Sequence, residues 1–498
     1  MSSQVLREAR KYEELKEQTI AQKERPLFHL SSRVGWMNDP NGFSYYAGKY
    51  HLFYQYHPYD TCWGPMHWGH AVSSDLLRWE YLPAALAPDT ACDSDGCFSG
   101  GALEAENGQH MLIYTGVSRQ AQENGEVRDI QTQCVAFGDG IDYRKYHKNP
   151  VVDIKDLPAD SSRFDFRDPK LWKGCDGQYY FVAANNRADE SGGRILLFSS
   201  LDGLDWHFES ILFENDGSFG KMWECPDFFE LDGRWILLVS PQDMLPKDFE
   251  YHNGDGNLCF IGDLDRKTKT FLPTADQAVD YGIDFYAAQT LLTADGRRVM
   301  IAWMQNWDTC NNNHQSKRKW FGQMCTPREL RVQNGRLFQR PVRELEAFRR
   351  NPVTYTNVLV QDIVTLEGIK GRTADLELEL SPENSEEIYR KFEIHLAKND
   401  QYHTSVSFRP YESILKLDRK FSGSRRAIIH QRRCRVARNG GKLKLRILID
   451  RFSVELFVND GEQAMSATIY TDMAADGISF YADGNVRMNL SKYDICMG

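Results

Sequence analysis

The sequence predicts an all-β protein, a five-bladed β-propeller followed by a C-terminal β-sandwich. Two observations support this prediction. A hairpin signal recurs five times in the first two-thirds of the chain, and long stretches of helical periodicity are lacking after residue 25. A third observation sets the number of domains, because 498 residues are too many for one compact core of ordinary size.

The repeated signal is a glycine followed by a long polar residue and a β-rich run. It occurs as GKYHLFYQ, GQHMLIYT, GQYYFVAA, GRWILLVS and GRRVMIAW, beginning at Gly48, Gly108, Gly177, Gly233 and Gly296. The residue before each glycine is Ala, Asn or Asp, and Asn-Gly and Asp-Gly are the strongest short hairpin signals. Further strand-like runs follow the hairpins, so four strands in each of five repeats predict five blades.

The domain boundaries follow from where this signal begins and ends. A charged, weakly amphipathic surface helix is predicted over about residues 3–23. The predicted segments are an N-terminal helical extension 1–27, the propeller 28–340, a linker 341–353 and the sandwich 354–498.

In the sandwich, FSVELFVND alternates apolar and polar residues from Phe452 to Val458, which predicts a half-buried strand. The basic run 425–438 is interpreted either as an anion or partner site or as a solvated sheet face.

The composition restricts the possible partners and the compartment. Hydrophobic residues make up 41% of the chain, and the net charge of −10 argues against a nucleic-acid partner. No apolar run approaches the ~18 residues of a membrane span. The N-terminal sequence lacks the apolar segment of a signal peptide, and the cysteines lack zinc spacing. A reduced, cytoplasmic protein without a membrane partner is expected, and a homo-oligomer is left open.

The residue nine positions before each turn glycine occupies the same place in every repeat, which is called the repeat phase below. These positions are Asp39, Ser99, Asp168, Glu224 and Ala287. If the first strand of each blade is innermost, the five residues ring one end of the central channel. Three of them are carboxylates, although only 70 of 498 residues are acidic. For Asp39, in GWMNDPNGF, the alternative is a tight loop in which Pro40 fixes φ and Gly42 takes a positive φ.

Crowded carboxylates cost free energy unless they bind a cation or take part in catalysis. Glycoside hydrolysis uses such acids in pairs, one to attack or activate water and one to protonate the leaving oxygen. Aromatic residues near the same phase favour a sugar pocket, although each could simply pack in the core. They are Trp36, Trp63, Trp68, Phe98, Trp223, Phe285 and Tyr286.

Sequence neighbours predict different protonation states for the three acids. Arg167 is expected to keep Asp168 ionised, and backbone donors in the turn are expected to do so for Asp39. Apolar neighbours are expected to raise the pKa of Glu224, as a general acid requires.

Five segments together resemble glycoside hydrolase family 32, which contains invertases, sucrose-6-phosphate hydrolases and fructan hydrolases. They are WMNDPNG (36–42), WGPMHWGHA (63–71), FSG (98–100), RDP (167–169) and ECPD (224–227). The later segments DFYAAQT (284–290), TPREL (326–330) and LRILIDRFSVELFVNDGE (445–462) extend the resemblance over nearly the whole chain.

The resemblance implies a retaining β-fructofuranosidase that hydrolyses the terminal fructosyl unit of sucrose or short fructooligosaccharides, without metal or organic cofactor. By motif position, Asp39 is the nucleophile, Glu224 the acid/base and Asp168 the transition-state stabiliser. The implied substrate-binding residues are Asn38, Gln55, Trp63, Ser99 and Arg167, and the aromatic set adds Phe98 and Tyr286. A departure is FSGG, where many relatives have FSGS, so Gly101 lacks a hydroxyl.

Several alternatives remain. Within the enzyme class, the substrate could be sucrose-6-phosphate, for which Lys221 and Arg187 are candidate phosphate contacts or else ordinary surface charges. From other classes, a non-catalytic carbohydrate-binding propeller and a calcium-dependent structural propeller are considered. The intact acidic trio argues against the first, and the lack of an EF-hand ligand string argues against the second. The polar loop 306–320 is expected to border the leaving group.

Overall fold

The computed structural model describes residues 3–122, 124–310, 318–423 and 429–498. Five sheets are arranged as the blades of a propeller, and one ten-stranded sheet follows them. The predicted fold class, a five-bladed propeller followed by a sandwich, is confirmed. Among these residues, no helix has both the length and the apolar character needed to cross a membrane.

Each blade is a meander of four antiparallel strands. Blades one to three contain β1 (Gly35–Tyr46), β2 (Lys49–His57), β3 (His67–Ser73), β4 (Trp79–Leu86), β5 (Gly96–Glu104), β6 (His110–Ala121), β7 (Val127–Gly138), β8 (Tyr143–Lys145), β9 (Ser161–Lys173), β10 (Tyr179–Arg187), β11 (Gly193–Ser200) and β12 (Trp206–Glu214). The later segments are β13 (Trp223–Leu231), β14 (Arg234–Pro241), β15 (Leu258–Asp265), β16 (Thr270–Ala278), β17 (Tyr286–Leu292), β18 (Arg298–Trp303), the short helix α2 (Trp307–Cys310), β19 (Trp320–Phe321), β20 (Arg328–Gln333) and β21 (Arg336–Pro341).

The first strand of each blade lies innermost. Strands β1, β5, β9, β13 and β17 each contact their counterparts in the two neighbouring blades, which forms a ring around the channel. Strand β19 pairs in parallel with β1, so a late segment of the propeller is hydrogen-bonded to its first strand. The five turn glycines have φ between +75° and +83°, which requires glycine-like freedom and confirms the predicted hairpins.

The N-terminal helix is shorter and more buried than predicted. Helix α1 (Gln4–Glu17) ends near Thr19, whose hydroxyl donates to the Lys16 carbonyl at 2.7 Å and competes with helical hydrogen bonding. Glu13 is 1% exposed and pairs with Arg33 at 2.9 Å. The helix therefore packs against blade one as part of the folded body.

The C-terminal sheet is folded into two layers that share long strands. Its members are β22 (Arg349–Val364), β23 (Ala374–Pro382), β24 (Lys391–Lys398), β25 (His403–Arg409), β26 (Ile414–Phe421), β27 (Gln431–Arg435), β28 (Leu443–Asp450), β29 (Ser453–Val458), β30 (Gln463–Thr468) and β31 (Gly477–Ile495). Strand β31 pairs with β22, β23 and β24, and so joins the two layers. Strand β22 begins inside the range 341–353 that was expected to be the linker.

Strand β29 is buried on both faces, so the prediction of a half-buried strand was wrong. Its apolar face packs in the sandwich core, and its polar face packs against the propeller. There Glu455 accepts hydrogen bonds from Arg328 at 2.7 Å and contacts His29 at 2.8 Å.

Part of the basic run 425–438 also contacts the propeller. Arg435 pairs with Asp248 at 2.6 Å, and Arg432 lies 3.4 Å from the Asn253 carbonyl. Residues 425–428 of this run lie outside the described residues.

Candidate active site

A β-bulge interrupts the first strand of every blade at the repeat phase identified above. In β1 the pairing register shifts between Met37 and Pro40, and corresponding shifts occur in β5, β9, β13 and β17. Each shift gives the inner strand one extra residue, which bends the strand and redirects its side chains. In the sequence GWMNDPNGF, Asp39 therefore belongs to a bulged strand and not to an isolated tight loop.

The bulges border a cavity of ≈ 260 Å³ at one end of the channel. It is lined by Asn38, Asp39, Gln55, Trp63, Phe98, Ser99, Arg167, Asp168, Glu224, Gln242, Asp255 and Trp307. The three predicted catalytic residues and all the predicted substrate-binding residues except Tyr286 are thus brought together.

Asp39 is 8% exposed and lies between a serine and a cysteine. Its Oδ2 accepts a hydrogen bond from Ser99 Oγ at 3.0 Å and a weak one from Cys225 Sγ at 3.6 Å. Its buried Oδ1 has no hydrogen-bond partner among the described residues. One oxygen of this carboxylate is therefore available to another atom, as a nucleophile requires.

Asp168 lies on the other side of the same cysteine. Its Oδ2 accepts from the Cys225 backbone N–H at 3.0 Å and lies 3.6 Å from Cys225 Sγ, whose single proton it shares with Asp39. The Asp168 backbone N–H donates to Thr115 Oγ1 at 3.0 Å, which fixes the bulge. With φ of 62°, Asp168 holds a backbone conformation that non-glycine residues seldom adopt, and such strain is concentrated at functional sites.

Glu224 is held by two donors, one at each oxygen. Arg167 Nε donates to Oε1 at 3.0 Å, and the Tyr286 hydroxyl donates to Oε2 at 2.6 Å. Arg167 also pairs with Asp165 at 2.8 Å. Tyr286 thus contributes by orienting the Glu224 carboxyl group.

Comparison with known proteins places this arrangement in a family. The family model described as the glycosyl hydrolases family 32 N-terminal domain matches residues 29–341, and the model of the family 32 C terminal matches residues 344–495. The chain belongs to glycosyl hydrolase family 32. The predicted family is confirmed, and so is the prediction of a glycoside hydrolase.

Individual family 32 proteins resemble this chain over nearly its whole length. A sucrose-6-phosphate hydrolase of Escherichia coli is 36% identical over 474 residues, which cover 93% of both chains. A raffinose invertase of Escherichia coli is 35% identical over 469 residues, which cover 92% of both. The structure of a Bombyx mori GH32 beta-fructofuranosidase mutant in complex with sucrose is 35% identical, covers 99% of both chains and has a TM-score of 0.84.

The electrostatics of the family 32 site differ from those expected from sequence neighbours. Burial, together with the charge of Glu224, raises the pKa of Asp39 to about 6. Burial also raises the pKa of Asp168 to about 7, because it outweighs the effect of Arg167, whose Nε lies 4.0 Å away. Arg167 instead lies closer to Glu224, whose surroundings are therefore ionic and not apolar.

Gln242 and Asp255 were missed in the sequence, and Trp307 was covered only by the expectation that the loop 306–320 borders the leaving group. Burial and the charge of Asp308 raise the pKa of Asp255 to about 7. Gln242 and Asp255 come from the loop between β14 and β15, and Trp307 comes from α2. These segments lie outside the repeated first strands, so the position nine residues before a turn glycine could not have identified them.

Other expected residues lie away from the cavity. Trp68, Trp223 and Phe285 are buried in hydrophobic clusters, as the alternative of core packing predicts. Lys221 pairs with Asp243 at 3.3 Å, and Arg187 pairs with Glu214 at 2.8 Å.

The two sequence features that were expected to depart from the family pattern can also be located. A Cβ atom at Gly101 would lie 2.9 Å from the Leu171 nitrogen, so this position faces the neighbouring blade. Of the loop 306–320, Trp307 lines the cavity, and residues 311–317 lie outside the described residues.

Proposed function

We propose that this chain is a retaining β-fructofuranosidase that hydrolyses the terminal fructosyl unit of sucrose or a short fructooligosaccharide. The convergence of Asp39, Asp168 and Glu224 on one cavity carries this proposal. Retaining glycosidases need one carboxylate that attacks the sugar and one carboxyl group that protonates the leaving oxygen. Asp39, whose Oδ1 accepts no hydrogen bond from the described residues, suits the first role, and Glu224, which Arg167 and Tyr286 orient, suits the second.

In the first step, Asp39 attacks the anomeric carbon of the fructosyl unit while Glu224 gives its proton to the glycosidic oxygen. The bond to the leaving sugar breaks, and a covalent fructosyl ester forms on Asp39. In the second step, Glu224 takes a proton from water, which attacks the same carbon and releases fructose with its configuration retained. Asp168 accepts hydrogen bonds from ring hydroxyls and stabilises the oxocarbenium-like transition state.

Two of the three carboxyl groups, Asp39 and Asp168, titrate close to neutral pH. The pKa of Asp39 is raised to about 6 and that of Asp168 to about 7, mainly by burial. Interacting acids titrate as a group, so a proton can occupy different members as the surroundings change. The first step requires a proton on Glu224 and a negative charge on Asp39 when the substrate is bound.

The size of the cavity suits attack at the end of a chain. At ≈ 260 Å³ it lies just below the range for small-molecule pockets, about 300–1,000 Å³. A pocket of this size has room for a terminal fructosyl unit, so attack should be exo. A defined inulin-type oligomer should release free fructose from the start, and early internal fragments without free fructose would contradict this expectation.

Fructose release from sucrose, with and without a chelator, tests the proposal against its alternatives. We expect release in both cases. Binding of sucrose without release would favour a non-catalytic sugar-binding propeller, and loss of activity with the chelator would favour a metal-dependent protein. In a water–methanol mixture, retention predicts methyl β-fructofuranoside as the first transfer product, and the α-anomer would contradict a retaining mechanism.

Sucrose-6-phosphate is a second candidate substrate, which the similarity to a sucrose-6-phosphate hydrolase favours. Among the described cavity residues, the one cation is Arg167, and Glu224 and Asp165 already bind it. We therefore expect a higher kcat/KM for sucrose than for its 6-phosphate. The opposite ratio would assign this chain to the phosphate-specific activity.

A further inference from the structure

One wall of the cavity is built from two loops that are hydrogen-bonded to each other. Asp255 comes from the loop between β14 and β15, and Trp307 begins α2. Asn306 Nδ2 donates to the Asp255 carbonyl at 2.7 Å, and the Asp255 backbone N–H donates to Asp308 Oδ2 at 3.1 Å. The positions of Trp307 and Asp255 are therefore linked, and a shift of α2 moves both.

Behind this wall, α2 is attached to a buried carboxylate. The Thr309 hydroxyl lies 2.9 Å from Asp284 Oδ1 and 3.0 Å from the Asn306 carbonyl. The hydroxyl has a single proton, and a carboxylate is the stronger acceptor. Thr309 is 5% exposed and Asp284 is fully buried, so water does not compete for this hydrogen bond.

Asp284 is in turn held by the sandwich. Its Oδ2 accepts from the Arg419 guanidinium and, at 2.7 Å each, from the backbone N–H and the hydroxyl of Thr468. Gln305, just before α2, also donates to the Thr468 hydroxyl at 3.2 Å. A continuous chain of contacts therefore runs from β26 and β30 of the sandwich through Asp284 and Thr309 to the cavity wall.

We infer that Thr309 and Asp284 are positioning residues, and that through them the sandwich domain fixes the side of the active site that receives the leaving group. The inference rests on the proposed function, because Glu224 defines where the leaving group departs. Asp255 is close enough to Glu224 for the charge of that residue to raise the Asp255 pKa. The wall formed by Asp255 and Trp307 therefore adjoins the proton donor.

The inference predicts a change in substrate preference, which a purely structural contact would not cause. The three catalytic carboxyl groups are held by residues outside α2, since Asp39, Asp168 and Glu224 depend on Ser99, Cys225, Arg167 and Tyr286. On the fructosyl side, α2 acts through the stacking of Trp307 on Trp36, whose indole N–H donates to Asn38. Loosening α2 should therefore weaken contacts with a glucosyl leaving group more than contacts with the fructosyl unit. Sucrose and methyl β-fructofuranoside share the fructosyl unit, but methanol is too small a leaving group to need the wall.

Thr309→Val, which removes the hydroxyl and keeps the shape, is the decisive variant. One lost hydrogen bond corresponds to about a threefold to tenfold effect. We expect kcat/KM for sucrose to fall by that factor, mainly through a higher KM, and kcat/KM for methyl β-fructofuranoside to stay within about 1.5-fold of the wild type. Thr309→Ser should restore the preference for sucrose. If Thr309→Val does not fold, Thr309→Ala is measured with the same expectation.

Thr326→Val is the matched control, because Thr326 is also a fully buried threonine, and its hydroxyl lies 3.0 Å from His29 Nε2 at the junction of the two domains. It should lower the melting temperature without changing the ratio of the two substrates. Equal losses on both substrates in Thr309→Val, or no loss on sucrose, would overturn the positioning role alone. A wild-type protein that releases fructose from neither substrate would overturn the proposed function and this inference with it.

Discussion

Two buried groups of carboxylates in this molecule differ in how their charge is compensated. At the cavity the lining includes four acids and one cation, and these residues are Asp39, Asp168, Glu224, Asp255 and Arg167. At the junction of propeller and sandwich three acids contact two cations, and these residues are Asp280, Asp450, Glu455, His29 and Arg328. Most members of both groups are buried, so the difference in pairing affects how they titrate.

The pKa values of the carboxyl groups shift in opposite directions in the two regions. At the cavity, burial raises the pKa of Asp39 to about 6 and that of Asp168 to about 7. At the junction, burial alone would raise the pKa of Glu455, but Arg328 and His29 outweigh it and lower that pKa to about 2. Hydrogen bonds to Asp450 and Glu455 likewise outweigh burial at His29 and raise its pKa to about 9.

This difference separates function from structure. Buried charges that are incompletely paired lower the stability of the fold, and their presence indicates a chemical use. Buried charges with complete partners hold two surfaces in one arrangement, and removing one partner is costly. Substitutions at the cavity should therefore abolish activity at little cost in stability, and substitutions at the junction should do the reverse.

Asp39→Asn should have the largest effect. Because the variant cannot form the covalent ester, we expect kcat on sucrose to fall about 10⁴-fold or more. The melting temperature at pH 7.5 should stay equal or rise, since the pKa of Asp39, raised to about 6, means that its ionised form costs stability above that pH. Asp176→Asn, the same change in an exposed turn, should keep full activity. If pure Asp39→Asn retains more than about one-hundredth of the wild-type rate, Asp39 is not the nucleophile.

Glu224→Gln should have the next largest effect, and the size should depend on the leaving group. General acid catalysis contributes about 10²–10⁴-fold, so fructosyl transfer from sucrose should slow by that factor. An activated aryl fructoside needs little protonation, and its first step should slow less than about tenfold. Pre-steady-state kinetics on both substrates measure this step directly, and equal losses would show that Glu224 is not the acid.

Arg328→Met should have the main effect on stability. Both Arg328 and its partners Asp280 and Glu455 are fully buried, and loss of the cation leaves two carboxylates without their main counter-charge. A cost of about 3–5 kcal/mol is expected for breaking such an arrangement. Chemical denaturation measures it, and Arg409→Met, in the exposed pair with Glu412, should cost far less. A loss no larger than that of the control would show that the junction does not depend on charge pairing.

The cavity was more predictable from the sequence than the junction, for a physical reason. Turn glycines and the residues nine positions before them recur in every blade, so one local rule located Asp39, Asp168 and Glu224 together. The structure adds the cause of this rule, which is a bulge at the same place in each inner strand. Asp255 and Trp307 lie in loops outside the repeat and carried no such signal.

The junction could not be predicted, because its burial results from docking one domain on the other. In β29, Glu455 alternates with apolar residues and has the pattern of a solvent-facing side chain, yet it is fully buried against Arg328. The protonation of Asp39 and Asp168 was also unpredictable from sequence neighbours. Their pKa values depend on depth and on residues distant in the chain, such as Glu224.

The smallest expected effect is a pH dependence of stability that separates the two regions. A folded-state pKa of about 9 for His29, above its usual 6.5, stabilises the fold fully below pH 6.5. This stabilisation is lost as the pH rises through 9, because the folded protein must then release a proton that the unfolded chain has already lost. The expected slope is about 1.4 kcal/mol of unfolding free energy per pH unit. Other groups also titrate in this range, such as Cys92, whose pKa is lowered to about 7 mainly by the hydrogen bond with Cys134. The contribution of the junction is therefore the difference between the wild type and a variant that lacks His29.

His29→Gln removes this titrating group and keeps a side chain that can form hydrogen bonds at the same place. The variant should be less stable than the wild type at pH 7.5, and the difference between them should shrink as the pH approaches 9. His207→Gln, at an exposed position, should follow the wild type across the whole range. Denaturation midpoints at half-unit intervals of pH measure the difference. A constant gap between His29→Gln and the wild type would mean that His29 is neutral at the junction, and the contrast between a compensated and an uncompensated carboxylate cluster would then rest on Arg328 alone.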